Sequence, residues 1–244
     1  MAKFLTILLA EASIEPFPEE LMKDIKVRDY FSKMKKKPSE VMLDTNYHKH
    51  LIKELPDSEK RGRPDIVHFS LLSCFGSILA REHRLRVIIH TCNNEIISLD
   101  PEVRLPKNVD RFNGLFLQLF KDKKVPPTGE SLMTLQSGDL LDLLKKLRQE
   151  HDLILEFSVK GDQLSPSEYS ETIFDAINPL LIFGAFPHGE VIPIPDDLVD
   201  KKLGIYEEGL DLFAVISQIL ASQHMLEESK LAGKNDKDEN LSWK

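Results

Sequence analysis

Strand-like and helix-like segments alternate in the C-terminal half of this sequence, and this alternation constrains the fold most. Residues 153–155 and 180–183 are short, continuous apolar runs of the kind found in strands that are buried on both faces. Leucines between residues 140 and 147 recur at helical spacing, and a second helical pattern covers residues 210–220. Because strands that alternate with helices form parallel sheets covered by helices, the sequence predicts an α/β fold.

Shorter strand patterns in the N-terminal half add to this prediction. Residues 87–90 and 96–99 are β-rich runs joined through Asn93-Asn94. Asparagine tolerates the positive φ of a tight turn, so these runs predict a β-hairpin. A further short strand is expected at residues 41–44.

The chain length limits the number of domains, and the cysteine content indicates the cellular compartment. With 244 residues, we expect one large domain over residues 1–226 and a polar, disordered tail at 227–244. No apolar run reaches the roughly 20 residues that a membrane helix needs, so no membrane partner is expected. Two cysteines cannot build a disulfide framework, which fits a reducing compartment and predicts a cytoplasmic protein.

The net charge of -8 hides an uneven distribution of charged residues. Residues 1–150 carry 25 Lys and Arg against 22 Asp and Glu, whereas residues 151–244 carry 7 against 18. Binding to nucleic acid depends on local neutralisation of phosphates rather than on the charge of the whole chain. Any RNA surface is therefore expected on the first 150 residues.

Several familiar site motifs are absent from the sequence. There is no Gly-x-Gly-x-x-Gly run after a strand and no Walker-type loop, so an adenosine cofactor would need another architecture. The histidines show no ligand spacing and the two cysteines do not form a Cys-x-x-Cys pair, so no metal site is expected.

Two basic segments are candidates for binding a polyanion. In the first, residues 60–63 form a cationic loop before Pro64, and Asp65 in the first helical turn can hold Arg63. A capped helix with solvated arginines is the alternative. In the second, Arg104, Lys107 and Arg111 surround one helix N-terminus, where cations oppose the helix dipole and phosphates would relieve the conflict. An ordinary exposed basic turn is the alternative here.

A glycine-containing loop at residues 183–189 directly follows a predicted buried strand. Glycines let a ligand or another backbone approach closely. Ligand sites of α/β proteins form at the carboxyl ends of parallel strands, which is where this loop is expected. A tight turn without a ligand is the other interpretation.

Taken together, these segments resemble the SPOUT-class ribosomal RNA methyltransferases specific for N1 of pseudouridine, which also act in small-subunit ribosome assembly. The resemblance covers about residues 3–222 and is to archaeal rather than eukaryotic members. The matching segments, in the family's order, are Arg63-Pro64-Asp65-Ile66-Val67-His68, residues 87–91, Arg104-Leu105-Pro106, Arg111-Phe112, Gly114-Leu115, residues 183–189 and Ile205-Tyr206.

The resemblance implies a SPOUT-type parallel sheet with a C-terminal trefoil knot, a homodimer, and S-adenosylmethionine bound within residues 150–222. Knots are rare exceptions to the rules of chain topology. Carried over residue by residue, the implied cofactor-binding positions are Gly184, Gly189, Leu203, Gly204, Ile205, Tyr206, Glu207 and Glu208, with Phe157 and Ser158 in a further wall.

The resemblance also implies that residues 60–125 hold most of the RNA-binding elements. Arg63, Arg104 and Arg111 match arginines that contact rRNA, and Asp65 matches the acid that supports Arg63. Lys107 stands where relatives have arginine; it keeps the charge and loses the bidentate fork. Asp65 is also the candidate acceptor for the N1 proton of the target base.

The implied partners are small-subunit rRNA, a second copy of the chain, and ribosomal proteins or assembly factors. Two other functions stay open at this point. One is a non-catalytic rRNA-binding assembly factor, and the other is a SPOUT methyltransferase that acts on a different RNA.

Overall fold

The computed structural model describes residues 4–241, in which an eight-stranded sheet runs in the order β4-β5-β3-β2-β1-β7-β6-β8. The five strands β2, β1, β7, β6 and β8 pair in parallel, and β3, β5 and β4 continue the sheet in antiparallel pairing. The α/β prediction with a mostly parallel sheet is therefore confirmed. The strands are β1 (Leu5–Ala12), β2 (Leu85–Thr91), β3 (Glu95–Leu99), β4 (Lys124–Val125), β5 (Met133–Ser137), β6 (Leu153–Gln163), β7 (Pro179–Gly184) and β8 (Lys201–Gly204).

Helices cover both faces of this sheet. One face packs against α3, α5, α7 and α8, and the other packs mainly against α6. A separate small core belongs to α1 and α2. The helices are α1 (Ile25–Met34), α2 (Thr45–Ile52), α3 (Pro64–Gly76), α4 (Ile78–Arg81), α5 (Val109–Asp122), α6 (Leu140–Arg148), α7 (Pro166–Asp175) and α8 (Leu212–Leu241).

The central strands are apolar throughout because they are buried on both sides. In β7, Leu181 and Phe183 face one core, while Leu180 and Ile182 face the other. Successive side chains of a strand point to opposite faces, so a strand between two helical layers needs an unbroken apolar run. This explains why the apolar run at 180–183 was a reliable strand signal.

Two predictions for the N-terminal half have different outcomes. The β2–β3 hairpin is confirmed, with Val87 opposite Leu99 and with Asn94 at φ 56° in the turn. The strand expected at residues 41–44 is wrong, because there only Met42 forms an isolated bridge, to Pro16. The segment instead leads into α2, where the Asp44 carboxylate accepts a hydrogen bond from the Asn46 N–H at 2.7 Å.

Helix α8 is 30 residues long and crosses the domain boundary that we expected after residue 226. Glu227 is buried, and its carboxylate accepts hydrogen bonds from the Arg84 guanidinium at 2.7 and 2.9 Å. Residues 1–3 and 242–244, which the expected domain and tail include, lie outside the described residues. Within residues 4–241, no helix is both long and apolar enough to cross a membrane.

Candidate functional site

A cavity of about 390 Å³ lies beside the ends of β7 and β8 and the middle of β6. Nine of the ten sequence-predicted cofactor positions line it, whereas Glu207 is exposed and is not among the described lining residues. The nine are Phe157, Ser158, Gly184, Gly189, Leu203, Gly204, Ile205, Tyr206 and Glu208.

An irregularity in β6 forms one wall of the cavity. Leu203 of β8 pairs first with Phe157 and then with Asp162, so the intervening residues of β6 arch away from the sheet. Where β6 returns, Gly161 lies so close to β8 that an added Cβ would meet Leu203 N and O at 2.6 Å. The strand predicted from the apolar run at 153–155 thus continues to Gln163, and its arch supplies the further wall expected at Phe157 and Ser158.

The loop after β7 is tied to the loop that precedes Arg63. The Lys60 ammonium lies 4.8 Å from the centre of the Phe186 ring and pairs with the Glu11 carboxylate at 3.0 Å. The same carboxylate accepts a hydrogen bond from the Ile192 N–H at 2.9 Å. Both loops therefore depend on Glu11, which lies in the bulge between Leu9 and Ala12 near the end of β1.

Acidic groups outnumber basic groups in the lining of the cavity. Four carboxylates line it (Glu156, Glu190, Glu208 and Asp211) together with two cations (Arg63 and Lys160).

Two of these carboxylates are paired and two are free to act on a ligand. Glu156 pairs with Lys202, and Glu190 pairs with Lys160. In the described part of the chain, Glu208 and Asp211 make no ion pair and no side-chain hydrogen bond. The cavity therefore favours a ligand with positive charge.

Arg63 stands between this cavity and α3. Its guanidinium donates two hydrogen bonds of 2.8 Å to the Asp65 carboxylate, and its backbone N–H donates to Ser13 Oγ at 2.8 Å. Burial raises the pKa of Asp65, but the hydrogen bonds and charge of Arg63 outweigh it and hold this pKa below its ordinary value. Asp65 is thus ionised, oriented and a weak proton acceptor.

Arg61, only two residues earlier, has the opposite environment. It is buried, and its Nε and Nη2 donate to the two carboxylate oxygens of Glu15, which is 1% exposed. Asn93 Nδ2 donates to the same carboxylate at 2.8 Å. The interpretation of both arginines as solvated is therefore wrong for Arg61, because a buried acid 46 residues away neutralises it.

The second basic segment packs against α3 through His68. Its Nε2 donates to the Pro106 carbonyl at 2.8 Å, and its ring stacks on Phe112 with 4.1 Å between centroids. Arg104, Lys107 and Arg111 are exposed, and none is in an ion pair within residues 4–241. Because α3 begins directly after Arg63, the structure brings both basic segments to one helix.

Sequence reasoning missed some lining residues and the contacts that support the site. Lys160, Glu190 and Asp211 carried no motif, because each reaches the cavity from an irregular segment. His68 was part of a quoted segment, but nothing in the sequence indicated that it contacts Pro106. Among the described residues, no group of three His, Cys, Asp or Glu side chains is arranged to hold a metal ion.

Comparison with known proteins gives the family. The model of the family described as "EMG1/NEP1 methyltransferase" matches residues 7–224. The chain belongs to this family. Its similarity to family members extends over almost the whole chain, which includes both basic segments and all cavity loops.

Curated relatives and a solved structure agree with this membership. The ribosomal RNA small subunit methyltransferase Nep1 of Pyrococcus furiosus is 35% identical over 222 residues, 91% of this chain and 97% of that protein. Nep1 of Methanothrix thermoacetophila is 37% identical over 92% of this chain and 98% of its own length. The crystal structure of Archaeoglobus fulgidus Nep1 bound to S-adenosylhomocysteine matches with a TM-score of 0.76 at 30% identity, covering 93% of this chain and 100% of that chain. These relatives are archaeal, as the resemblance indicated.

Proposed function

We propose that this protein is an S-adenosylmethionine-dependent methyltransferase that methylates N1 of a pseudouridine in small-subunit rRNA and supports small-subunit ribosome biogenesis. The position of Arg63 carries the proposal: its side chain lines the cavity, and the helix that follows it holds the exposed Arg104–Arg111 segment. A cavity for a methyl donor and a cationic surface for RNA therefore meet at one residue. The named relatives methylate small-subunit rRNA, and S-adenosylhomocysteine is what the donor becomes after transfer.

The cavity fits S-adenosylmethionine by size and charge. Its volume of about 390 Å³ lies within the roughly 300–1,000 Å³ of small-molecule sites. Glu208 and Asp211 would attract the positively charged sulfonium and ammonium groups, and Leu203 and Ile205 offer apolar surface to the adenine ring. We assign cofactor binding to the nine lining positions predicted from the sequence, with Glu207 as an outer position.

The bound donor supplies an already activated methyl group, so the protein's own task is to position the base and its backbone. An unpaired uridine-type base must leave its stack to enter a cavity of this kind. We assign Arg63 to the target nucleotide, because its guanidinium is held by Asp65 at the cavity. Arg104, Lys107 and Arg111 are assigned to flanking phosphates, since they are exposed cations without acidic partners.

Asp65 is assigned as a positioning residue for Arg63. The carboxylate uses both oxygens on the guanidinium, and its lowered pKa makes it a poor acceptor for the N1 proton. Proton acceptance is the other role for which the sequence made Asp65 a candidate.

A homodimer and a trefoil knot are part of the proposal. Phe69 in α3 and Phe213 at the start of α8 are 48% and 40% exposed and contact each other, which leaves an apolar surface for a second copy. Strand β8 pairs with β6 instead of with β7, which precedes it in the chain, and such a return is consistent with a knotted path. A cytoplasmic location stays a prediction, which microscopy of the tagged protein would test.

The test is mass spectrometry of two small-subunit rRNA hairpins incubated with the protein and labelled S-adenosylmethionine. One hairpin carries pseudouridine in its loop and the other carries uridine. We expect label on the pseudouridine hairpin alone, and its loss in Arg63→Ala. Lys146→Gln, an exposed change on α6, serves as the control and should keep full activity.

Other outcomes identify the alternatives. Label on both hairpins would assign the enzyme to a different RNA target. Binding of both hairpins without label would contradict methylation and leave an rRNA-binding assembly factor.

A further inference from the structure

The small lobe built from α1 and α2 carries a cationic surface that the proposed methyl-transfer site does not use. We define this α1–α2 lobe as residues 17–56, which share their own hydrophobic core. In these residues the sequence has nine Lys and Arg against seven Asp and Glu, a balance of +2 in a chain of -8. All nine cations are exposed.

Three of the seven acids of the lobe accept hydrogen bonds from backbone groups. Asp24 accepts a hydrogen bond from the Lys26 N–H, Glu40 from the Lys37 N–H and Asp44 from the Asn46 N–H, at 2.7 to 2.8 Å. These three carboxylates are therefore directed to backbone groups at the starts of helices. Within residues 4–241, none of the nine cationic side chains is in an ion pair.

One face of α2 combines positive charge with an exposed aromatic ring. At 100° per residue, Asn46, Tyr47, Lys49, His50 and Lys53 fall on one continuous arc of the helix. All five are exposed, and Tyr47 at 78% is the most exposed of the large apolar side chains in the described chain. No acid lies on this face within α2, and Glu54 follows directly after Lys53.

The Tyr47 ring lies beside the buried ring of His48. Its centroid lies 6.2 Å from the ring of buried His48, which also lies 6.2 Å from Tyr30. His48 Nδ1 accepts a hydrogen bond from the Asp44 N–H at 3.0 Å, which fixes the ring at the start of the helix. Tyr47, which is 78% exposed, is therefore open to a ligand from solvent.

The start of α2 adjoins the loop that holds Arg63. The Thr45 N–H donates to the Gly62 carbonyl at 2.8 Å, and Ile52 packs so closely on Gly62 that a Cβ there would collide with it. The pKa of Arg63 is raised first by hydrogen bonds to Asp65 and further by the nearby charge of Asp44. Tyr47 lies about 4.5 Å further along the helix axis than Asp44, at 1.5 Å per residue.

We propose that the exposed face of α2 binds single-stranded RNA next to the target nucleotide, with one base stacked on Tyr47 and phosphates contacted by Lys49 and Lys53. This inference rests on the proposed function, since it extends the RNA path beyond Arg63. An aromatic face surrounded by cations is the combination that binds unpaired strands, because every base has a face to stack and every nucleotide a phosphate. Nucleotides beside an unpaired target offer both groups, whereas an acidic protein would not need the aromatic ring.

The test measures binding of three RNA hairpins with the same stem. The reference hairpin has the unextended target loop. In the other two, unpaired nucleotides lengthen the loop on one side or on the other side of the target nucleotide. The wild-type protein should bind one of the lengthened RNAs more tightly. Tyr47→Ala should weaken binding of that RNA by about 5- to 150-fold, while Tyr47→Phe keeps the affinity. In Lys49→Gln/Lys53→Gln, the negative slope of log affinity against log salt concentration should become shallower by about 1.4, because two phosphate contacts are lost.

Matched controls separate this surface from the proposed site. Phe4→Ala removes another exposed ring, and Lys145→Gln/Lys146→Gln removes two exposed lysines on α6, on the other face of the sheet from α3; both variants should bind like wild type. If Arg104→Ala weakens binding but Tyr47→Ala and the Lys49/Lys53 variant do not, the inference is wrong and the proposed function stands. If the wild-type protein binds none of these RNAs, both are wrong.

Discussion

At the scale of single residues, Arg61 and Arg63 show how burial decides the role of a charge. Their side chains are 8% and 40% exposed, although only Gly62 separates them. A buried ion pair that loses one partner leaves an uncompensated charge, whereas an exposed pair contributes little to stability. The first arginine holds the loop in place, and the second is available to a ligand.

Arg61→Ala should therefore lower the free energy of unfolding by about 3–5 kcal/mol, and Arg63→Ala by about 0–1 kcal/mol. Urea denaturation of both variants measures this difference. Arg61→Met combined with Glu15→Met removes both buried charges and should recover part of the loss. Equal losses in the two single variants would contradict the distinction.

Asp65→Asn tests whether the carboxylate positions Arg63 or accepts a proton. We expect the KM for RNA to rise about tenfold, as for a lost charge-assisted hydrogen bond, with kcat nearly unchanged. The folded-state pKa of Asp65 is below its ordinary value, so the ion pair is intact above that ordinary value and is lost only as pH falls through the lower, folded one.

The pH profile completes this test. The wild-type rate should show no titration from Asp65 between about pH 6 and pH 8, because the group is ionised throughout this range. A collapse of kcat in Asp65→Asn, with the loss of one limb of the wild-type profile, would instead make Asp65 the proton acceptor.

At the scale of elements, the close approach of β6 and β8 makes Gly161 a sensitive position. Gly161→Ala would push a Cβ into the backbone of Leu203 and should destabilise the fold by about 1–3 kcal/mol. Binding of S-adenosylmethionine should weaken as well, because the β6 arch lines the cavity. Calorimetric titration and urea denaturation measure the two effects.

Gly114→Ala is the matched control, since an added Cβ there meets nothing within 4 Å. Gly114 lies inside α5, where alanine is favoured over glycine by roughly 0.5–1 kcal/mol. The two substitutions should therefore change stability in opposite directions. A loss of stability in both would refute the steric explanation.

The elements that the sequence predicted are those whose signal is local. Continuous apolar runs identified β6 and β7, and leucine spacing identified α6. Helix α7 was missed although Ser165 and Glu168 form a capping box, because no strong apolar period follows them. Residues 41–44 have the composition of a strand, but in the fold they form only one isolated β-bridge, between Met42 and Pro16.

At the scale of the whole molecule, nine of the ten predicted cofactor positions converge on one cavity, and among the predicted RNA-binding residues Arg63 lines it. The family resemblance placed these residues, whereas their long-range supports had no sequence signal. Arg61 needs Glu15, and the loop after β7 needs Glu11, each from a segment far away in the chain. Burial of such pairs depends on the complete fold, so composition and spacing do not reveal it.

Assembly of two copies is a property of the whole molecule that one double substitution tests. Phe69→Glu/Phe213→Glu should convert a dimer into a monomer, because burial of each ring contributes about 1.5–3 kcal/mol and a buried charge opposes association. Sedimentation equilibrium measures the mass. Phe4→Glu changes a ring of similar exposure and should stay dimeric; a wild-type monomer would contradict the proposed dimer.

The shared carboxylate of Glu15 has a consequence for how this protein can diverge. It accepts hydrogen bonds from Arg61, Asn93 and the Cys92 thiol, so two distant parts of the chain depend on one buried acid. A single exchange at position 15 or 61 removes about 3–5 kcal/mol from the 5–15 kcal/mol that a folded protein has. Evolutionary drift at these positions is therefore restricted to paired exchanges, and lineages should either keep both charges or have lost both.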